Sequence, residues 1–290
     1  MGRQAHHHFI PQSYLKEFTL DGKDSSQFWG VPINNDHPFL TTPKDACSKR
    51  DYYTIEHENS LLIENWYANE IEPKIGIALK YIKDYSKLPS SDNMSNLLLL
   101  LATLYLRTPS HRDTIEKPMK RVQEIVDSMS KDIKISNRHE FSYTQTDLIM
   151  TELNLIETVM KSLSNKFYRL YLIQESEFDV IVSDDPFILS HPNDKEEFYF
   201  GLNTPNIEIC VPINRRAILI ARNEPFEEDV FSADDRFVGL TNTKLILSAS
   251  RFFYSSQREI ALVDDNISVY KHDISTNKTE EPIKNPRAAF

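Results

Sequence analysis

The chain has 290 residues, a net charge of −10, 40% hydrophobic and 26% charged residues. This composition excludes wholesale disorder and allows one large core or two modest ones. The acidic balance argues against a protein that coats nucleic acid non-specifically, although a local basic groove is compatible with it.

The N-terminus lacks an apolar signal core and opens instead on Ala5-His6-His7-His8-Phe9-Ile10-Pro11-Gln12-Ser13-Tyr14-Leu15-Lys16-Glu17-Phe18. A short helix is expected from Pro11, whose fixed φ suits a first helical position, with Leu15 and Phe18 on its inner face and Tyr14 on the flank. "QFWGVPI" and "DYYTIE" read as strands, and with them residues 1–56 form a mixed zone. Cys47 and Cys210 belong to no Cys-x-x-Cys pattern, so neither a disulfide framework nor a thiolate zinc site is expected.

Residues 57–176 read as helical. Leu62, Trp66, Ile71, Ile75, Leu79 and Ile82 recur at helical spacing, with a bend expected at Pro73. Ser and Asp are N-cap candidates for the next helix, whose run from Leu97 to Leu106 is about half the roughly 20 residues a membrane span requires. It reads as a buried central helix, and the expectation is a soluble, cytoplasmic protein with no membrane partner. Helices follow in "DTIEKPMKRVQEIVDSMSKDI" and "TQTDLIMTELNLIETVMKSLSNKFYRLYLIQ", joined through the patternless "KISNRHEFSY".

Residues 177–273 change period. "FDVIVSD", "IEICVPI", "AILIARN" and "IALVDDNISVY" are strand-like, and a helix is expected from about Asp234 to Ser250. The fold expected is α+β: a central helical bundle packed with a C-terminal, mainly antiparallel sheet and a short N-terminal helix plus strands. Residues 1–273 would form one composite domain and 274–290 a loose tail.

Chemistry concentrates in three places. In an extended segment His6 and His8 project to one side and His7 to the other, near a helix start that favours anions. An expression tag, structural histidines and incidental surface histidines compete with a site. "RTPSHR" sets Arg107 and Arg112 at the end of the most apolar helix, as helix-end cations beside Pro109 or as guanidinium forks for phosphate or carboxylate. "VIVSDDPF" ends a strand on Asp184 and Asp185, suited to a divalent cation, to orienting a base, or to an Asx-type turn. Glu64, Glu70 and Glu72 lie on one helix, where a solvated face is the bland alternative. His57, His111, His139, His191 and His272 carry no assignment. The Walker loop, dinucleotide fingerprint, His-Glu-x-x-His and Gly-x-Ser-x-Gly are absent, so no nucleotide cofactor is expected.

Taken together these residues resemble a large bacterial family of unknown function with the signature His-His-x-x-Pro-Gln-x-Tyr-Leu-Lys-x-Phe. The match rests on His7, His8, Pro11, Gln12, Tyr14, Leu15, Lys16 and Phe18, on an Arg-Thr-Pro-x-x-Arg element at Arg107, Thr108, Pro109 and Arg112, and on a Ser-Asp-x-Pro element at Ser183, Asp184 and Pro186. Position 185 is often Asn in that element, whereas Asp185 adds a charge. A later family Asn corresponds to Asn242. The resemblance sets aside the tag reading but implies no chemistry; such genes are sometimes placed near phage-defence or toxin functions.

The leading expectation is a phosphodiester-cleaving hydrolase, a nuclease of defence or toxin type. His7, His8, Gln12, Arg107 and Asp184 would be catalytic, and Lys16, Arg112 and Asn242 would bind substrate. A divalent metal ion would be held among His6, His8, Glu64, Asp184 and Asp185. The alternatives are a non-enzymatic sensor or partner-binding protein whose same residues form a buried polar network, and a hydrolase or transferase acting on a small phosphorylated molecule. All require the histidine segment, Arg107 and the strand-end acids to converge.

Overall fold

Proline opens the first helix in the computed structural model, which describes residues 6–34, 37–55, 61–129, 144–191 and 200–275. Helix α1 (Gln12–Leu15) begins directly after Pro11 and tightens into a 3-10 turn (Lys16–Phe18). Tyr14, expected on the flank, is buried with Leu15 and Phe18, and its hydroxyl donates to the Pro212 carbonyl at 2.5 Å. That bond seats the N-terminal segment on the C-terminal sheet.

Strand β1 (His6–His8) pairs antiparallel with β4 (Ser48–Arg50), with His7 opposite Lys49. Strands β2 (Phe28–Pro32) and β3 (Phe39–Thr41) join a second sheet. "DYYTIE" is not a strand. Asp51 has φ 54, a left-handed conformation that Asp tolerates, and the turn drives Tyr52 and Tyr53 both inward, where a strand would alternate them.

Helix α2 (Leu62–Trp66) widens into a π turn (Tyr67–Ile71) before α3 (Glu72–Tyr85). The irregularity falls just before Pro73, which cannot donate to the carbonyl four residues back and clashes with it; the wider turn relieves both. It also shifts the buried stripe to Ile63, Tyr67, Ile71, Ile75, Leu79 and Ile82. Leu62 and Trp66, expected on that face, are exposed.

The central helix α4 (Ser91–Leu106) packs between α3 and α6 (Gln145–Ser164). Pro109 does not simply stop it. It is the first residue of α5 (Pro109–Met129), so Arg107 and Thr108 form the hinge between two helices. Helix α6 starts on a capping box made by Thr144 and Asp147, then ends earlier than expected, and Phe167–Leu172 is strand β5. "KISNRHEFSY" lies outside the described residues, as do His57 and His139.

Two sheets organise the C-terminal zone. One has the order β10 (Val230–Ser232), β5, β9 (Ala217–Arg222), β8 (Glu208–Asn214), β7 (Ile188–Ser190). The other has β3, β2, β11 (Phe252–Ser255), β6 (Val182–Ser183). All ladders are antiparallel except β10 with β5. Helix α7 (Asp235–Ser248) lies against the hairpin of β12 (Glu259–Val263) and β13 (Val269–Asp273). It comes so close at Gly239 that a Cβ there would sit 3.2 Å from the Leu262 backbone. The protein is α+β, and one cluster of buried apolar residues draws on all three sequence zones. Ile274, assigned by sequence to the tail, is buried, and its N–H donates to the Arg258 carbonyl; residues 276–290 lie outside the described set. Among the described residues no helix is long and apolar enough to cross a membrane.

Candidate functional site

Pairing with β4 turns His7 and His8 inward and leaves His6 exposed. The Tyr53 N–H donates to His7 Nδ1 at 2.7 Å, so the neutral ring carries its proton on Nε2, which is buried and has no partner. His8 is engaged on both sides: Nε2 donates to the Lys44 carbonyl at 2.8 Å and Nδ1 accepts from Gln12 Nε2 at 3.2 Å. Burial lowers the pKa of both rings, with the Arg107 charge adding to the effect. Both are neutral at pH 7.

Arg107 is 1% exposed at the C-terminus of α4. Its Nε donates to the Tyr53 hydroxyl at 3.0 Å and its Nη2 to the His8 carbonyl. The guanidinium lies 3.7 Å from the Tyr67 ring centroid and 4.8 Å from that of Tyr53. No carboxylate forms an ion pair with it among the described residues, and Nη1 has no hydrogen-bond partner. A permanent cation is thus held in the interior by aromatic faces and two bonds, with one face of its fork unspent.

Arg112 differs. It grips Glu152, its Nη2 donating to Oε2 at 3.1 Å and its Nε to Oε1, while Nη1 donates to the Tyr52 carbonyl at 3.1 Å. The Tyr52 ring lies 3.4 Å from the Arg112 guanidinium carbon, and its hydroxyl donates to the Arg107 carbonyl at 3.1 Å. Arg112 is therefore consumed structurally, as is Asn242, which accepts from the Ile181 N–H and donates to the Asp179 and Ala261 carbonyls.

The strand-end acids reach the same core but not the guanidinium of Arg107. Asp184 accepts from the backbone N–H groups of Ser250, Arg251 and Phe252 at 2.8, 2.9 and 3.2 Å. Burial raises its pKa and those donors offset part of the rise. Asp185 meets the "RTPSHR" element through the Ser110 side chain; burial, helped by neighbouring Asp184, pushes it up to about 7. Arg107 is thus bound to the histidine strand, and Ser110 of the same element to Asp185.

Beside Arg107 lies a second polar group that the chain brings in from α1, α2 and α3. Glu64 Oε2 and Ser13 Oγ are buried and unpartnered. Glu64 has its pKa raised by burial and lowered in part by Arg107. Glu72 follows the same pattern, and its carboxylate also accepts from the Ser13 N–H. Gln12, Ser13, Lys16, Glu64 and Glu72 are each partly exposed, in contrast to the buried Arg107. Glu70 points outward.

Of the residues expected to hold a metal, His8 has both nitrogens engaged, Asp184 accepts three backbone N–H groups, His6 is exposed, Glu64 Oε2 is buried, and Asp185 meets the Ser110 side chain. Among the described residues no group of three His, Cys, Asp or Glu side chains is placed to bind an ion. Sequence reasoning missed Tyr52, Tyr53, Tyr67, Ser13 and Glu152. Only Glu152 had a legible signal: four residues beyond Leu148, it sits on the apolar face of α6, where a carboxylate needs a cation.

A family model described as "Protein of unknown function (DUF4238)" matches residues 6–259. No curated protein and no solved structure matches the chain.

Proposed function

We propose, for a chain that belongs to the DUF4238 family of proteins of unknown function, that the Arg107 centre binds the phosphate of a small molecule and that the protein is a hydrolase or transferase acting on that group. One observation carries the reading: four buried polar atoms, His7 Nε2, Ser13 Oγ, Glu64 Oε2 and Arg107 Nη1, lack hydrogen-bond partners, and Arg107 makes no ion pair among the described residues. Unsatisfied buried polar atoms are costly and are kept where a ligand completes them. Three of the four can donate, as phosphate oxygens require. Arg107 would neutralise phosphate charge. Ser13 and His7 would orient it.

A polynucleotide substrate, as a nuclease in defence or toxin context would need, draws less support. The guanidinium is nearly inaccessible, and the net charge of −10 repels a nucleic-acid backbone. The non-enzymatic reading has its own observation: His8, Gln12, Arg112, Asp184 and Asn242 already form closed structural bonds.

The test is calorimetric titration with inorganic phosphate, alongside phosphate release from a panel of phosphomonoesters. Saturable binding with turnover, both weakened at least tenfold in Ser13→Ala and in His7→Asn, is the expected result. Asn at position 7 retains an acceptor for the Tyr53 N–H. Binding without turnover selects the sensor, and absence of phosphate binding rejects the site.

A further inference from the structure

Resting on that phosphate-site reading, the geometry points to a ligand that carries an ammonium group as well as a phosphate, the phosphate on Arg107 and the ammonium on Glu64. A buried site with donors alone would suit inorganic phosphate. This one also holds an acceptor: Glu64 Oε2 is buried, unpartnered and coupled to the same guanidinium that leaves Nη1 free. The Glu72 charge acts on Glu64, and Arg107 acts on Glu72.

Charge sets the same requirement. Glu64 lies one helical turn before Tyr67, whose ring is 3.7 Å from the guanidinium, and the Glu64 and Glu72 carboxylates both act electrostatically on Arg107. A phosphate entering alone adds negative charge where two acids already act, whereas a zwitterionic ester brings its own compensation and places a donor on the orphaned oxygen. Glu72 is the less suited partner, because its carboxylate already accepts from the Ser13 N–H. Glu64 is thus the specificity-determining residue, and its negative charge discriminates.

Two probes of equal size separate the alternatives. O-Phosphoethanolamine and n-propyl phosphate differ only in an ammonium replacing a methyl group. Calorimetric titration at fixed ionic strength is expected to give at least tenfold tighter binding of phosphoethanolamine. In Glu64→Gln, which keeps the shape and removes the charge, the two affinities should fall within about twofold of each other, a tenfold ratio being worth about 1.4 kcal/mol. Thermal unfolding checks that the variant is folded; because Glu64 is partly exposed and makes no bond through Oε2, its midpoint should match that of the wild type. Equal affinities in the wild type, or a preference that survives in Glu64→Gln, overturn the ammonium assignment while leaving the phosphate site standing. If inorganic phosphate and both esters fail to bind, the phosphate reading fails and the inference falls with it.

Discussion

Arg112 and Glu152 form a buried, two-pronged ion pair between α5 and α6, with the Glu152 side chain at 0% exposure. The pair is fastened to the Asp51–Tyr53 turn, because Arg112 also donates to the Tyr52 carbonyl and Glu152 accepts from the Tyr53 side chain. Arg107, Tyr53, Glu152 and Arg112 therefore make one chain of charged and hydroxyl groups, in which Arg112 balances Glu152 and Arg107 is left to the site.

Removing one partner of such a pair strands a charge in the interior. Glu152→Ala is expected to destabilise the fold by about 3–5 kcal/mol, read from the urea midpoint. A loss below about 1 kcal/mol would mean that the pair is not closed in solution.

Asp184 is predicted to hold structure. Its carboxylate joins β6 to the residues that begin β11 by accepting three backbone N–H groups. Asp184→Ala leaves those donors orphaned and should cost about 2–4 kcal/mol, a net hydrogen bond to a charged group being worth about 1.5–3 kcal/mol. In conditions where the variant is folded, phosphate affinity should stay within about twofold of the wild type. A tenfold loss would return Asp184 to the site.

Asp185 sets a pH dependence. Its folded pKa, about 7, lies above the ordinary 3.8 because of burial and of Asp184. Its stabilising contribution is thus present below 3.8 and lost as pH rises through about 7. His7 and His8, with lowered values, work the opposite way: their contribution is full above the ordinary 6.5 and is lost as pH falls through their folded values. Subtraction separates the two. The stability of Asp185→Asn relative to wild type should climb between pH 4 and 7 by about 1–3 kcal/mol and then level off, as measured by denaturation at stepped pH. A flat difference would show that Asp185 ionises like an exposed acid.

The sequence alone was informative wherever a local rule governs. Pro11 placed α1, apolar periodicity placed α3 and α4, and β-branched runs placed β8, β9 and β12. Local rules misplaced "DYYTIE" because Asp51 adopts a left-handed turn, and they extended α6 too far because Phe167–Leu172 takes its conformation from pairing with β9. Such pairing is a long-range choice that a segment does not announce.

The amino-acid order determined the family signature, the α+β class and the kinds of side chain available: histidines, guanidinium groups and strand-end acids. Tertiary structure decided which of them stay free. Two arginines five positions apart look alike in the chain, yet among the described residues the fold pairs Arg112 with a carboxylate and binds Arg107 through aromatic rings, a hydroxyl and a carbonyl, with no ion pair. The reason is physical: whether a buried charge is spent or available depends on what packs against it, and those partners come from β1, the π turn after α2, α6 and the Asp51–Tyr53 turn, far away in sequence.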